Sequence, residues 1–251
     1  MAKKDNHPIT TEEPNETAKK NAARTTKSRQ TRKTPVKIIS LGGLGEIGKN
    51  IYVYECANDI IIVDCGIAFP DDDMLGVDLV IPDFTYLERN YDKIRGIFLT
   101  HGHEDHIGAM PYLLKKINVP VYATRLPLGL LEGKLQEHNI LEACELNVVE
   151  PGDTIKAGCM AVEFIGVNHS IPDACAMAIH TPAGIIIHTG DYKVDYSQIQ
   201  GEIIDLARFG ELGSRGVLAL LGESTNSERP GSTTSERKVG ETIETLITRA
   251  E

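Results

Sequence analysis

Short apolar runs separated by turn-forming residues recur along most of this chain. Runs of four to eight residues that are rich in β-branched and aromatic side chains are typical of β-strands. A strand pair with a tight connection is predicted around Asn58 and Asp59, because this dipeptide type favours hairpin turns. The predicted strands are residues 36–41, 51–55, 60–63, 97–100, 119–123, 145–149, 154–157, 160–167, 174–180 and 184–188, and a last apolar run covers 216–221.

Longer stretches with apolar residues at helical spacing lie between these strands. They predict helices at residues 83–90, 107–117, 127–138 and 235–251. Strand-rich segments with interspersed helices suit two sheets that pack face to face and are covered on the outside by helices. We therefore predict an α/β (α+β) fold of this layered type.

The densest group of metal-binding side chains is at residues 101–106, which read His-Gly-His-Glu-Asp-His after a predicted strand. Imidazole and carboxylate groups bind zinc or manganese. In an extended segment His101 and His103 point the same way, because alternate residues of a strand share a face. Asp105 and His106 lie where the next helix would begin, so the turn directs them elsewhere. This division favours a dinuclear site over a structural zinc site, which closes on one ion.

Three more candidates each follow an apolar strand-like run. They are His169, Asp191 and Asp64. Ligands of open sheets collect at the carboxyl ends of the strands, so we expect His169 and Asp191 to complete the metal site. We expect Asp64 to orient the histidine loop through hydrogen bonds without binding metal. From the residues alone, a plain turn aspartate before Gly66 is an equally good interpretation.

The order of these motifs resembles the metallo-β-lactamase superfamily, and their flanks closely resemble the bacterial ribonuclease J family. The flanking segments are ISLGGLGEIGKN at residues 39–50, GIAFP at 66–70, NHSIPDA at 168–174 and GESTNSERPG at 222–231. The resemblance covers roughly residues 35–251. It implies the αββα sandwich of the metallo-β-lactamase fold. It also implies a metal-dependent ribonuclease that acts on single-stranded RNA, as a 5′-to-3′ exonuclease and an endonuclease, in RNA maturation and decay.

Motif matching to this family implies a specific set of metal ligands. One ion would be bound by His101, His103 and His169, the other by Asp105 and His106, and Asp191 would bridge both. Two ions about 3.5–4 Å apart can clamp the attacking hydroxide and the scissile phosphate. Zinc is the expected ion, and manganese is compatible with the same ligands.

The resemblance also implies two catalytic residues. Asp105 would orient the attacking water, and Glu223 matches the acidic residue that opens the β-CASP insertion and partners a later proton-donating histidine. The sequence does not identify substrate-binding residues. We expect the proton donor and the last ligand of the second ion to lie beyond these 251 residues, because no histidine follows His188.

We therefore divide the chain into three parts. Residues 1–35 are a predicted disordered basic tail, residues 36–221 an incomplete metallo-β-lactamase domain, its amino-terminal half, and residues 222–251 the start of the β-CASP domain. We expect the 251-residue chain to have little activity alone. The alternative is a small-molecule metallohydrolase of the same superfamily, such as a thioesterase or lactonase, which could be complete at this length.

Composition and charge fit a cytoplasmic enzyme. The chain has 41% hydrophobic residues, five cysteines without a Cys-x-x-Cys pair, and a net charge of −10. Residues 1–35 carry nine basic and four acidic residues, a net charge of +5, which leaves about −15 on the remainder. A basic arm could hold RNA phosphates, and a purely solubilising tail is an equal alternative. We expect a homo-oligomer in the full-length protein and no membrane segment, since no apolar run approaches 18 residues.

Two further patterns compete with this interpretation. Gly43, Gly45 and Gly48 satisfy the G-x-G-x-x-G dinucleotide motif, but a strand-like run follows where that motif requires a helix. We expect these glycines to form a tight turn near the metal cleft. His188 is expected to be a packing residue at a strand end, as is Tyr52 within its strand.

Overall fold

The computed structural model describes residues 34–197 and 203–250. The predicted tail at residues 1–35 lies outside this part of the chain, apart from its last two residues. Within the described ranges, no helix is long and apolar enough to cross a bilayer.

The first sheet contains six strands in the order β1-β2-β3-β4-β5-β6. They are β1 (Val36–Gly42), β2 (Ile51–Cys56), β3 (Asp59–Val63), β4 (Ile94–Phe98), β5 (Val121–Ala123) and β6 (Leu146–Val148). The first three strands are antiparallel, and β3 to β6 run parallel. The carboxyl ends of β3 and β4 therefore lie side by side.

The second sheet contains five strands in the order β11-β10-β9-β8-β7. They are β7 (Thr154–Ala157), β8 (Met160–Gly166), β9 (Cys175–His180), β10 (Ile185–His188) and β11 (Val217–Leu221). Strands β7 to β10 are antiparallel, and β11 pairs with β10 in parallel.

The two sheets pack face to face across a buried apolar layer. Phe98 of β4 and Phe164 of β8 meet there with their ring centroids 6.2 Å apart, and Ile61, Met177 and Ile186 belong to the same buried cluster. Burial of this kind contributes roughly 25 cal/mol for each Å² of apolar surface, so this layer is a main source of the fold's stability.

The α-helices of the described residues are α1 (Thr85–Glu88), α2 (Glu104–Ile107), α3 (Met110–Leu114), α4 (Arg125–Glu137), α5 (Leu206–Arg215) and α6 (Glu236–Ala250). Helices α3, α4 and α5 cover the outer faces of the sheets, whereas α6 has no buried residue. Leu113 of α3 and Leu131 of α4 pack with Ile62 on the outside of the first sheet. Leu212 of α5 packs with Ile165 on the outside of the second sheet. The predicted layered α/β fold, an αββα sandwich, is confirmed.

The helix predicted at 107–117 is wrong at its start and in its continuity. In the structure α2 begins at Glu104 and α3 at Met110. A continuous helix would require the amide of Ala109 to donate to the carbonyl of Asp105. The Ala109 amide donates instead to the carbonyl of Cys65, and the Asp105 carbonyl accepts from Asn50. Asp105 and His106 therefore lie within a short helix, not in a turn before one.

Other boundaries differ for similar reasons. The strand predicted at 97–100 covers Ile94–Phe98, because the Thr100 amide donates to the Asp64 carboxylate at 2.7 Å. The hairpin turn is at residues 57–58 and not at Asn58 and Asp59, since Asp59 pairs with Cys56. The helix predicted at 83–90 is shortened to Thr85–Glu88. Helix α5 was not predicted, because its two glycines obscure the helical pattern.

Candidate metal centre

The first group of candidate ligands comes from the ends of three strands. His101 and His103 follow β4, His169 follows β8 and Asp191 follows β10. His101 Nε2 lies 3.1 Å from His103 Nδ1, and His103 Nδ1 lies 3.1 Å from His169 Nε2. Asp191 Oδ2 lies 3.6 Å from His169 Nε2. One ligand atom from each of the four residues lies within 4.8 Å of the others, so the group could hold a metal ion.

A second group adjoins the first and shares one residue with it. It comprises Asp105, His106 and Asp191, again with ligand atoms within 4.8 Å of one another. His106 Nε2 lies 3.6 Å from Asp105 Oδ2 and 3.5 Å from Asp191 Oδ1. Since the other oxygen of Asp191 faces His169, this carboxylate stands between the two groups.

Asp64 lies behind the second group, where it contacts His106. Its side chain is fully buried, and Asp64 Oδ2 lies 2.8 Å from His106 Nδ1. It also accepts hydrogen bonds from the amide and the hydroxyl of Thr100, both at 2.7 Å. The backbone of Asp64 adopts a φ of 61°, an unfavourable conformation for a residue other than glycine. A contact to Nδ1 leaves Nε2 of His106 free to face Asp105 and Asp191.

Two histidines of the first group, His101 and His169, are uncharged at pH 7, as metal binding requires. Burial, and then the neighbouring His106, His169 and His103, holds the pKa of His101 far below its usual range. Burial also lowers the pKa of His169 to about 4, although Asp191 opposes this shift. Neutral imidazoles at pH 7 have a free lone pair for a metal ion.

In the second group the carboxylates dominate. Burial opposes the charged form of His106, but Asp64 and Asp191 outweigh it and raise the pKa of His106 to about 10. Burial likewise opposes ionisation of Asp191, and its hydrogen bond to His106 keeps the pKa of Asp191 below its usual value. An ion that binds there must displace a proton from His106. The imidazole nitrogen and the ionised carboxylate oxygens are then ligands that zinc and manganese accept, so the residues fit such ions.

Glu223 follows β11 and lines the same cleft. The lining also includes Tyr52, His106, His188 and Asp191. The Glu223 carboxylate accepts a hydrogen bond from the amide of Thr225 at 2.6 Å. The structure thus brings every residue of the predicted site to one cleft or directly behind it.

The sequence interpretation missed two residues of this cleft. Thr100 donates to Asp64, and its hydroxyl lies 3.0 Å from His101 Nδ1. Asn50 reaches Asp105 and His106 from the glycine-rich loop. The position of Thr100, directly before the histidine motif, was a usable signal. Nothing near Asn50 in the sequence indicates its partners, which are 55 and 56 residues away.

The packing residues follow the predictions. Tyr54 is fully buried, and its hydroxyl lies 2.8 Å from His188 Nδ1. The ring centroids of Tyr52 and His188 are 5.0 Å apart. Burial lowers the pKa of His188 to about 4, so this histidine is neutral at pH 7.

Comparison with known proteins identifies the family. Residues 44–218 match the metallo-beta-lactamase superfamily. The chain is 46% identical over 226 residues to ribonuclease J of Synechocystis sp., which covers 89% of this chain and 35% of that protein. It is 47% identical over 212 residues to ribonuclease J 1 of Streptococcus pyogenes, which covers 84% of this chain and 38% of the relative. The chain thus spans little more than a third of the length of these relatives.

A solved structure supports the fold assignment. The crystal structure of a protein of unknown function from Enterococcus faecalis superposes with a TM-score of 0.60 at 19% identity, and the match covers 81% of this chain and 53% of that one. The match to the family model and the ribonuclease J relatives confirm the resemblance that the sequence motifs indicate. The chain belongs to the metallo-beta-lactamase superfamily, and both relatives named above are ribonuclease J proteins.

Proposed function

We propose that this chain carries the metal centre of a two-metal ribonuclease that cleaves single-stranded RNA. The observation that carries the proposal is the pair of adjoining ligand groups that share Asp191. Similarity to ribonuclease J proteins supports RNA as the substrate. These relatives do not favour the alternative of a thioesterase or lactonase.

The ligand assignment extends the observed grouping. His101, His103, His169 and Asp191 would hold one divalent ion, and Asp105, His106 and Asp191 the other. Zinc is the proposed ion, with manganese as the alternative. When bound, a pair of such ions lowers the pKa of a water toward neutrality and neutralises charge on a phosphodiester.

The remaining residues would orient the attacking water, a metal ligand and a proton donor. Asp105 borders the second group and would accept a hydrogen bond from the attacking water. Asp64 would hold His106 through Nδ1, so that the Nε2 lone pair is directed into the cleft. Glu223, half-buried in the same cleft, would align a proton-donating group for the leaving oxygen.

The proposed organisation places the metallo-β-lactamase domain at residues 36–221 and the start of a β-CASP domain at 222–251. The expected setting is the cytoplasm. We propose homo-oligomers of the full-length protein and both 5′-to-3′ exonuclease and endonuclease action, as implied by the family resemblance.

The test is cleavage of a 5′-monophosphorylated single-stranded RNA in zinc or manganese by the full-length product of the gene. His103→Ala is expected to lower the rate by roughly 100-fold or more, because it removes a ligand of the first group. The matched control is His138→Ala, since His138 lies at the end of α4 and contacts Lys115. Loss of cleavage in both variants would contradict the assignment of His103. Hydrolysis of a thioester or lactone without cleavage of RNA would refute the ribonuclease proposal.

A further inference from the structure

The glycine-rich loop between β1 and β2 ends at Asn50, whose side-chain Nδ2, backbone amide and backbone carbonyl contact the second ligand group or the loop after β3. The amide and the side-chain Nδ2 of Asn50 both donate to the carbonyl of Asp105, each at 3.1 Å. The carbonyl of Asn50 accepts from the amide of Gly66 at 3.0 Å. These three contacts hold the start of α2 against the loop after β3.

The side chain of Asn50 also approaches the ligand atoms themselves. Its Nδ2 lies 3.3 Å from Asp105 Oδ2 and 3.1 Å from His106 Nε2. Asn50 is half-buried, and an N–H donor beside a carboxylate selects one orientation of that carboxylate, as groups that bond metal ligands from behind do in general.

The glycines of this loop explain how Asn50 comes so close. A Cβ atom at Gly43 would lie 2.4 Å from Asn50 Oδ1, and one at Gly48 would lie 2.8 Å from the carbonyl of Ile67. Both glycines have positive φ values, 77° and 90°, which other residues rarely adopt. The motif that mimics a dinucleotide-binding loop therefore has a different use here: Gly43 makes room for the side chain of Asn50, and Gly48 makes room for the loop after β3.

We propose that Asn50 is a positioning residue for the second metal ion, and that it acts by orienting Asp105. This inference rests on the proposed two-metal function. It predicts a selective effect, because the contacts of Asn50 go to the second group and not to the first. Loss of the side chain should weaken the second binding step and leave the first unchanged.

The test is titration of the metal-free full-length product of the gene, which carries the expected last ligand of the second ion, with zinc in competition with a chromophoric chelator. Asn50→Ala and Asn50→Leu both remove the N–H donor, and leucine keeps the volume of asparagine. Both retain the backbone bonds of residue 50. Each is expected to weaken the second step by about 10- to 100-fold and to change the first by less than twofold. The control is Asn118→Ala, since Asn118 is an exposed residue whose side chain donates to the carbonyl of Ala143.

The outcomes separate this inference from the proposed function. An unchanged second step in both variants, or equal weakening of both steps, would overturn the role of Asn50. Urea unfolding of the metal-free variants shows whether equal weakening of both steps comes from a folding defect. If the alanine variant does not fold, the zinc affinities of the leucine variant test the role of Asn50. A full-length wild-type protein that binds a single zinc ion would overturn the two-metal proposal, and the role of Asn50 with it.

Discussion

Replacing Gly66 by alanine is expected to displace the second ligand group. A Cβ atom at this position would lie 1.6 Å from the carbonyl oxygen of Asp105 and 2.5 Å from the amide nitrogen of His106. The backbone would have to separate by about 1.4 Å to restore even a 3.0 Å contact. Gly66 is not among the residues with positive φ, so the expected cost is steric and not conformational.

The magnitude follows from the hydrogen bonds that cross this contact. The amide of Cys65 donates to the carbonyl of His106 at 2.7 Å, the Gly66 amide donates to Asn50 at 3.0 Å, and the Ile67 amide donates to Glu104 at 3.1 Å. Each backbone hydrogen bond contributes about 0.5–1.5 kcal/mol net. Their loss should lower the free energy of unfolding by about 2–4 kcal/mol. The displaced ligands should lower the affinity for the second ion by at least about 10-fold.

Urea unfolding of the metal-free chain measures the first effect, and zinc titration measures the second. Gly133→Ala is the matched control, because Gly133 is an exposed residue of α4 with no atom within 4 Å of a built Cβ. Alanine there should stabilise the helix by up to about 1 kcal/mol. If Gly66→Ala unfolds within about 0.5 kcal/mol of the wild type and binds two ions unchanged, the steric argument is wrong.

Three other outcomes are expected. Zinc should bind in two steps by calorimetry, the second weaker, since the groups contain four and three ligand residues; two equally tight ions would contradict this count. Asp191→Ala should weaken both steps. His188→Ala should cost about 1–2 kcal/mol of stability through its buried contact to Tyr54 and leave zinc affinity unchanged. Equal loss of zinc affinity in the two variants would show that a ligand is assigned to the wrong residue. Burial opposes ionisation of Glu163, but its partners Arg208 and His180 lower its pKa below 4.5. Because the folded-state pKa is depressed, the carboxylate stabilises the fold at pH values above its ordinary pKa. There, Glu163→Gln should lower the free energy of unfolding by about 1–3 kcal/mol, and this difference should vanish as the pH falls through the folded-state pKa. Urea unfolding at a series of pH values below 7 checks this, with the exposed Glu211→Gln as control; a difference that does not shrink as the pH falls would show another cause.

The strands could be predicted from the sequence because each is a local pattern. Apolar runs such as residues 60–63 and 184–188 need no distant partner to be recognised, and their bounds differ from the observed strands by one residue or less. Two of the errors lie where a distant residue takes a hydrogen bond. Asn50 removes the Asp105 carbonyl from a continuous helix, and Asp64 removes the Thr100 amide from the strand ladder. A local pattern does not contain such contacts.

The candidate site could be named residue by residue, since metal-binding side chains are few and their order along the chain matched a family. Its geometry could not be derived in the same way. The choice between Asp64 as an orienting residue and as a plain turn residue was open in the sequence. Its contacts to His106 and Thr100 now favour the orienting role.

The geometry of the site could not be derived from the sequence because the site lies between the two sheets. Thr100 connects the sheets at this point. On the side of the first sheet, its amide and hydroxyl donate to Asp64. On the side of the second sheet, its carbonyl accepts from the amide of Cys175 at 2.9 Å. A Cβ atom at Gly190 would lie 2.8 Å from the Cβ of Thr100, so only glycine lets the loop that carries Asp191 approach this closely. The distance from the histidine loop to Asp191 therefore depends on how tightly the sheets close at Thr100, and both ligand groups depend on it together.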